Sequence, residues 1–97
     1  MKNEKHYVYI LECSDKTLYT GYTNNLEERI KTHNNKKGAK YTKSRTPVKY
    51  VFTYECKDKS EACKLEYRIK QLKRKDKINL IKNQELINIL IEKYIKI

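Results

Sequence analysis

The chain predicts an α+β domain built on a small antiparallel sheet, with elements in the order ββαβαα. Three observations carry that expectation: two adjacent segments rich in Tyr, Val, Ile and Thr, a third that alternates along its length, and apolar residues at helical spacing elsewhere. A length of 97 residues with one proline and two glycines leaves room for one domain with a modest core and shows no Pro/Gly/Ser-rich linker.

The first two segments, His6 to Glu12 and Thr17 to Thr23, are separated by the turn-forming residues Ser14-Asp15-Lys16 and should pair as a hairpin. In the first, Tyr7, Tyr9 and Leu11 lie on one face and Val8 and Ile10 on the other. Neither face is polar, as expected of a central strand. Asn25, with Glu28 three residues on, opens a helix in the manner of a capping box; it runs to about Asn35, where Lys36-Lys37-Gly38 stops it. Residues 38 to 47 form a basic loop. Val48 to Cys56 then reads as a third strand, with Val48, Tyr50, Phe52 and Tyr54 sharing its buried face.

Asp58, with Glu61 three residues on, opens the next helix, whose stripe of Ala62, Leu65, Ile69 and Leu72 runs up to the charged break Lys73-Arg74-Lys75-Asp76-Lys77. Leu86, Leu90 and Tyr94, with Ile87 and Ile91, predict a C-terminal amphipathic helix. The expected division is a domain over residues 1–82 and that helix over 83–97, packed on the domain or on a partner.

Composition narrows the function class. With 23 Lys and Arg against 12 Asp and Glu, the net charge is +11. The default partner is a polyanion, bound with steep salt dependence through counterion release. Cys13, Cys56 and Cys63 are an odd count without C-x-x-C spacing, which argues against a disulfide framework and a zinc site and places them as small core or half-buried residues. No apolar signal region opens the chain and its longest apolar run near the C-terminus is Ile89 to Ile91, so a cytoplasmic protein without a membrane span is expected.

At about 100° per residue, Arg29 and His33 share the core-facing side of the first helix with Leu26 and Ile30. Polar residues on that side need a reason. The same reckoning puts Glu66 on the shoulder of the second helix's stripe, where a carboxylate can face a cleft. Taken singly, each residue has a bland explanation: Glu66 pairs with Lys70 four residues on, His33 ends a helix, and Tyr9 and Tyr19 are two of nine tyrosines with high β propensity.

The joint arrangement resembles the GIY-YIG nuclease superfamily over roughly residues 5 to 80. Tyr7-Val8-Tyr9 stands where the first motif would be and Tyr19-Thr20-Gly21 where the second would be. Arg29, His33 and Glu66 occupy the places of the family's arginine, its His or Tyr, and its metal-binding glutamate. The likeness is greatest to small stand-alone bacterial members, which carry a segment like Gly38 to Pro47, and extends to the catalytic domain of the excision-repair endonuclease. Tyr7 and Val8 replace the first motif's Gly and Ile. Tyr22 stands where some members have a lysine, a charge that Lys40 or Lys43 would have to supply, and Asn79 is the one counterpart for a later asparagine.

The resemblance implies a three-stranded antiparallel sheet flanked by helices and a one-metal endonuclease hydrolysing phosphodiester bonds by water attack, with Glu66 holding Mg2+ or Mn2+. Its catalytic residues would be Tyr9, Tyr19, Arg29, His33 and Glu66. Tyr9 is assigned as general base and Tyr19 as orienting group, the exchanged assignment standing as an alternative; His33 carries the proton or binds a phosphate oxygen, and Arg29 grips the phosphate. Lys40, Tyr41, Lys43 and Arg45 form the expected nucleic-acid-binding loop, tracking a backbone and stacking on an unpaired base. Branched, nicked or single-stranded DNA is favoured over RNA. The alternatives are a non-catalytic nucleic-acid-binding module on the same fold and a protein that dimerises through its C-terminal helix.

Overall fold

This computed structural model describes residues 5–95. Strand β1 (His6–Glu12) runs antiparallel to both β2 (Leu18–Thr23) and β3 (Lys49–Cys56), giving the sheet order β2-β1-β3. The strand with two apolar faces is the central one. Val8 and Ile10 enter a core shared with Phe52, Ala62, Leu65, Ile69 and Leu80, whereas Tyr9 and Leu11 enter a smaller cluster with Cys13, Val48, Leu26, Ile30 and Tyr50. Helix α2 (Lys59–Gln71) therefore covers one face and α1 (Leu26–Asn34) the other. Leu65 and Ile69, both fully buried, each contribute about 1.5–3 kcal/mol by leaving water.

The hairpin turn is a three-residue loop in which Lys16 adopts φ 71°, and Cys13 and Thr17 close it with a 2.9 Å bond from Cys13 N to Thr17 O. Asp15 ties this tip to the basic loop: its carboxylate accepts from Thr17 N and Oγ1 and, at 2.9 Å, from Arg45 Nε.

Asn25 caps α1 by accepting from Glu28 N at 3.0 Å. The return half expected of Glu28 comes instead from Thr23, whose Oγ1 accepts from Asn25 N. The helix ends with Lys36 at φ 64° and bonds from Lys36 N to His33 O and from Lys37 N to Thr32 O, the double closure of a Schellman motif. Lysine holds the left-handed position there, so the chain's nearby Gly38 has another purpose.

The alternation expected of β3 breaks at a bulge. Ile10 pairs with Phe52 and Leu11 with Tyr50, leaving Val51 as the extra residue. Val48 and Tyr50 consequently face the α1 side, while Phe52 and Tyr54 face the α2 side, and the four do not share one face.

At the start of α2, Asp58 accepts from Glu61 N at 2.8 Å and Glu61 accepts from Lys57 N at 2.9 Å. Cys63, expected in or near the core, is exposed. It follows Ala62 by one residue, and 100° of helical rotation carries it out of the stripe. The charged run after Leu72 does not end the helical region: α3 (Arg74–Lys82) begins inside it and buries Leu80. Beyond it, a tight turn (Gln84–Leu86), one α-helical turn, α4 (Ile87–Leu90), and a wider turn (Ile91–Ile95) replace the regular C-terminal helix. Ile87 and Ile91 enter the main core while Ile89 stays 60% exposed; Lys96 and Ile97 of that segment lie outside the described residues. Among the described residues no helix is long and apolar enough to cross a membrane.

Candidate active site

The α1 face of the sheet gathers Arg29 and His33, two of the polar residues that the helical reckoning singled out. Tyr9 is fully buried, and its hydroxyl lies 2.9 Å from His33 Nε2 and 3.3 Å from Arg29 Nε. His33, also fully buried, places its other ring nitrogen, Nδ1, 2.9 Å from Thr42 Oγ1, and Thr42 donates to Ala39 O at 3.0 Å.

The donor at one end favours one arrangement of the protons in this chain of bonds. Arg29 Nε–H can only donate, so the Tyr9 oxygen accepts from it and His33 Nε2 is the acceptor left for the Tyr9 proton. An imidazole that accepts at Nε2 carries its hydrogen on Nδ1. That hydrogen is donated to Thr42 Oγ1, whose own hydrogen then goes to Ala39 O. The reverse tautomer would leave a buried phenolic hydrogen with nowhere to go, a cost of about 1–3 kcal/mol.

Burial, and then the Arg29 charge, depress the His33 pKa to about 4, so the ring is neutral near pH 7 and free to accept. Tyr9 is pushed up from the ordinary tyrosine value chiefly by burial; the Arg29 bond and charge oppose this, and the Tyr19 and Glu66 charges reinforce it. At rest the proton therefore stays on Tyr9. Tyr50, edge-on to Tyr9 at 5.3 Å and donating to Leu26 O, is raised by burial to about 12 and stays protonated.

Both glycines of the chain make room for this constellation. Gly21 sits opposite Tyr9 in the β1–β2 register, and a Cβ on it would collide with the Tyr9 hydroxyl. A Cβ on Gly38 would collide with His33 Nδ1. Neither glycine has a positive φ, so the requirement is space alone.

Tyr19 borders the site without a hydrogen bond to it: its ring meets His33 edge-on at 5.6 Å and stacks on Tyr41 at 5.8 Å. Arg45 lies 4.1 Å over the Tyr41 ring and donates to Tyr41 O, while Lys40, Tyr41 and Lys43 are exposed. The basic loop thus joins the site through the Tyr19–Tyr41 stack. Glu66 stands on the shoulder of α2 with its side chain 25% exposed, paired with Lys70 Nζ at 3.2 Å.

Three contributors escaped the sequence reading. Thr42 looked like one polar residue in a basic loop, Asp15 like a turn former, and Lys70 like a surface partner for Glu66, yet Lys70 Nζ also lies 5.8 Å from the Tyr19 ring centroid. Lys77 stands beside Lys70, its pKa lowered by burial and by that neighbouring charge. Asn79 faces elsewhere, lining a groove with Leu72, Asp76, Leu80 and Leu86.

The profile of the GIY-YIG catalytic domain matches residues 5–79. The UPF0213 protein of Oceanobacillus iheyensis is 55% identical over 83 residues, 86% of this chain and 96% of that protein. A UPF0213 protein of Clostridium perfringens is 54% identical over 81 residues, 84% and 87% of the two chains. Among solved structures, the solution NMR structure of a UPF0213 protein of Bacillus halodurans is similar at 49% identity and TM-score 0.54, covering 80% of this chain and 83% of that one. A solution NMR structure of an E. faecalis protein is similar at 39% identity and TM-score 0.60, covering 88% and 91%. With the matched domain spanning the sheet, the Tyr9, Arg29 and His33 constellation and Glu66, the chain belongs to the GIY-YIG family, a family of endonucleases.

Proposed function

We propose that this chain is a divalent-metal-dependent endonuclease that hydrolyses phosphodiester bonds in DNA, selecting single-stranded, branched or nicked structures. The observation that carries the reading is the Tyr9 hydroxyl held between a permanent cation and a neutral imidazole acceptor. Tyr19 has no comparable acceptor among the described residues, its contacts being with the His33 and Tyr41 rings and Lys70, which favours Tyr9 as the base.

As water approaches, the Tyr9 oxygen takes its proton while the phenolic proton passes to His33 Nε2, so no free phenolate forms. The oxygen of that water bonds to phosphorus, and the bond to the leaving oxygen breaks. The leaving oxygen takes a proton from solvent, and the imidazolium hands its proton back to the Tyr9 oxygen as Tyr9 releases the one taken from water, which restores the resting state. Arg29 contributes twice. It is the more exposed of the two groups on the Tyr9 hydroxyl, so drawing its guanidinium toward a phosphate uncovers the base, and the phosphate charge offsets the field that depresses His33.

Glu66 would hold the cation. Its partly exposed carboxylate fits the single protein ligand that a hard cation such as Mg2+ or Mn2+ needs when waters and phosphate oxygens complete its shell. Among the described residues no three His, Cys, Asp or Glu side chains converge. A bound cation supplies polarisation of the phosphate and stabilisation of the leaving oxygen. Lys40, Lys43 and Arg45 would track the backbone, and Tyr41 would receive an unpaired base.

The second reading, a binding module that makes no cut, is favoured by one observation: Tyr9 is fully shielded. Incubating the protein with labelled single-stranded, duplex, flap and branched DNA and a structured RNA, with Mg2+ or Mn2+ or chelator, alongside Glu66→Gln, separates the two. Cleavage requiring metal and Glu66 is expected; salt-sensitive binding without a cut would establish the module.

A further inference from the structure

We infer that Thr42 is a positioning residue for the reaction, holding His33 in the Nδ1–H tautomer so that Nε2 remains the acceptor for the Tyr9 proton. The inference rests on the nuclease reading for its consequence, but its structural content stands apart from it.

Between residues 38 and 47 the chain is cationic and open to solvent, and Thr42 is the one buried residue in it. A hydroxyl placed in the interior costs stability unless it is hydrogen-bonded. This one is bonded twice, to His33 Nδ1 and to Ala39 O. Its backbone is held as well: Thr42 N donates to Ala39 O at 3.1 Å and Arg45 N donates to Thr42 O at 3.0 Å. The oxygen is therefore presented to the imidazole by a turn that cannot easily withdraw it. Gly38, at the start of the same segment, leaves the space that Nδ1 occupies. Two residues of one loop are thus shaped around one ring nitrogen.

The tautomer decides whether the relay runs. With hydrogen on Nδ1, Nε2 presents a lone pair to Tyr9. With hydrogen on Nε2, the imidazole becomes a second donor to a phenol that already accepts from Arg29, and the phenolic proton has no exit. On the Nε2 side the first form is favoured only indirectly, through the Arg29 donor on a phenol that can still donate to Nε2 or accept from it. The Thr42 hydroxyl with its outlet at Ala39 O supplies the bias, in the way the partner of one imidazole nitrogen sets the state of the other.

Thr42→Val keeps the shape and removes the hydroxyl; Thr42→Ser keeps the hydroxyl and removes the methyl. Long-range 1H–15N correlation spectra of the full chain report the His33 tautomer without reference to cleavage. Wild type and Thr42→Ser should show hydrogen on Nδ1, and Thr42→Val should show it on Nε2. In the cleavage assay, Thr42→Val should lose on the order of 100-fold or more in kcat with KM little changed, the scale of a lost proton-transfer catalyst, and Thr42→Ser should stay within about tenfold of wild type.

Hydrogen on Nε2 in the wild type, or an unchanged tautomer in Thr42→Val, overturns the inference. A folded Thr42→Ser that cleaves as poorly as Thr42→Val also overturns it, since the methyl and not the hydroxyl would then matter. Wild-type protein that shows the Nδ1–H form, loses it in Thr42→Val and cuts no substrate would sink the nuclease reading while upholding the tautomer assignment.

Discussion

Gly21 faces Tyr9 across the β1–β2 ladder so closely that its missing Cβ is the space the Tyr9 hydroxyl occupies. Gly21→Ala must push the ring off its bonds to His33 and Arg29 or open the two strands. A rigid ring inside a packed cluster cannot yield cheaply, so the cost should be about 1–3 kcal/mol of stability. Cleavage should fall far more than that loss of folded protein explains. Denaturant melts and cleavage rates on the same sample check it; an alanine variant with wild-type activity removes Tyr9 geometry from the mechanism.

The depressed His33 pKa has a consequence for stability. Its folded value is about 4 against an ordinary 6.5, so the unfolded chain binds the proton more readily between those values. His33 thus contributes stability that is fully present above about pH 6.5 and is lost as pH falls toward 4, up to about 3 kcal/mol from this group. Urea melts from pH 7 to pH 4 should show the decline. In His33→Gln the corresponding part of the slope should vanish.

Much of this arrangement was legible because it obeys simple periods. Period two in β1 gives a central strand with Tyr9 on one face, and the 3.6-residue period puts Arg29 and His33 on the buried side of α1. What was not legible depends on breaks in period or on distant contacts. Val51 slips the β3 alternation by one residue because a bulge lies opposite Ile10 and Leu11, and no local signal marks it. Within Lys73 to Lys77 nothing apolar announces α3, whose packing comes later from Leu80. Thr42 lies nine residues from His33 through an irregular loop, where no spacing rule operates.

Lys36 offers a test of local backbone energetics apart from the site. It occupies a left-handed helix end that glycine prefers, at a cost of about 1–2 kcal/mol, against about 0.4–1 kcal/mol for the extra freedom glycine gives the unfolded chain. Lys36→Gly should therefore raise stability by about 0.5–1 kcal/mol. The thermal midpoint should rise by several degrees; a fall would show that the lysine side chain holds an interaction worth more than the strain.

Arg45 connects the hairpin tip to the aromatic edge of the site by donating to Asp15 and covering Tyr41. Arg45→Met keeps much of the side chain's bulk and loses these contacts together with the bond to Tyr41 O. Amide exchange should accelerate across residues 39–45, and binding to single-stranded DNA should weaken with a salt slope shallower by about one. An unchanged slope would place Arg45 outside the binding surface and leave it the structural clip alone.

Lys70 both pairs with Glu66 at 3.2 Å and lies 5.8 Å from the Tyr19 ring, so it confronts a bound cation with a competitor at the carboxylate. Partly exposed pairs of this kind contribute roughly 0.2–1 kcal/mol, and releasing Glu66 should tighten Mg2+ by at most about fivefold. Lys70→Met should therefore bind Mg2+ more tightly, read from NMR shifts around Glu66 during titration. Cleavage should nonetheless fall, because the same ammonium lies against the Tyr19 ring beside Lys77 and can supply the positive charge that Tyr22 does not. Tighter metal with slower cleavage separates the two roles of Lys70; weaker metal would show that the Glu66–Lys70 pair positions the carboxylate rather than blocking it, and unchanged cleavage would return the electrostatic role to Lys40 or Lys43.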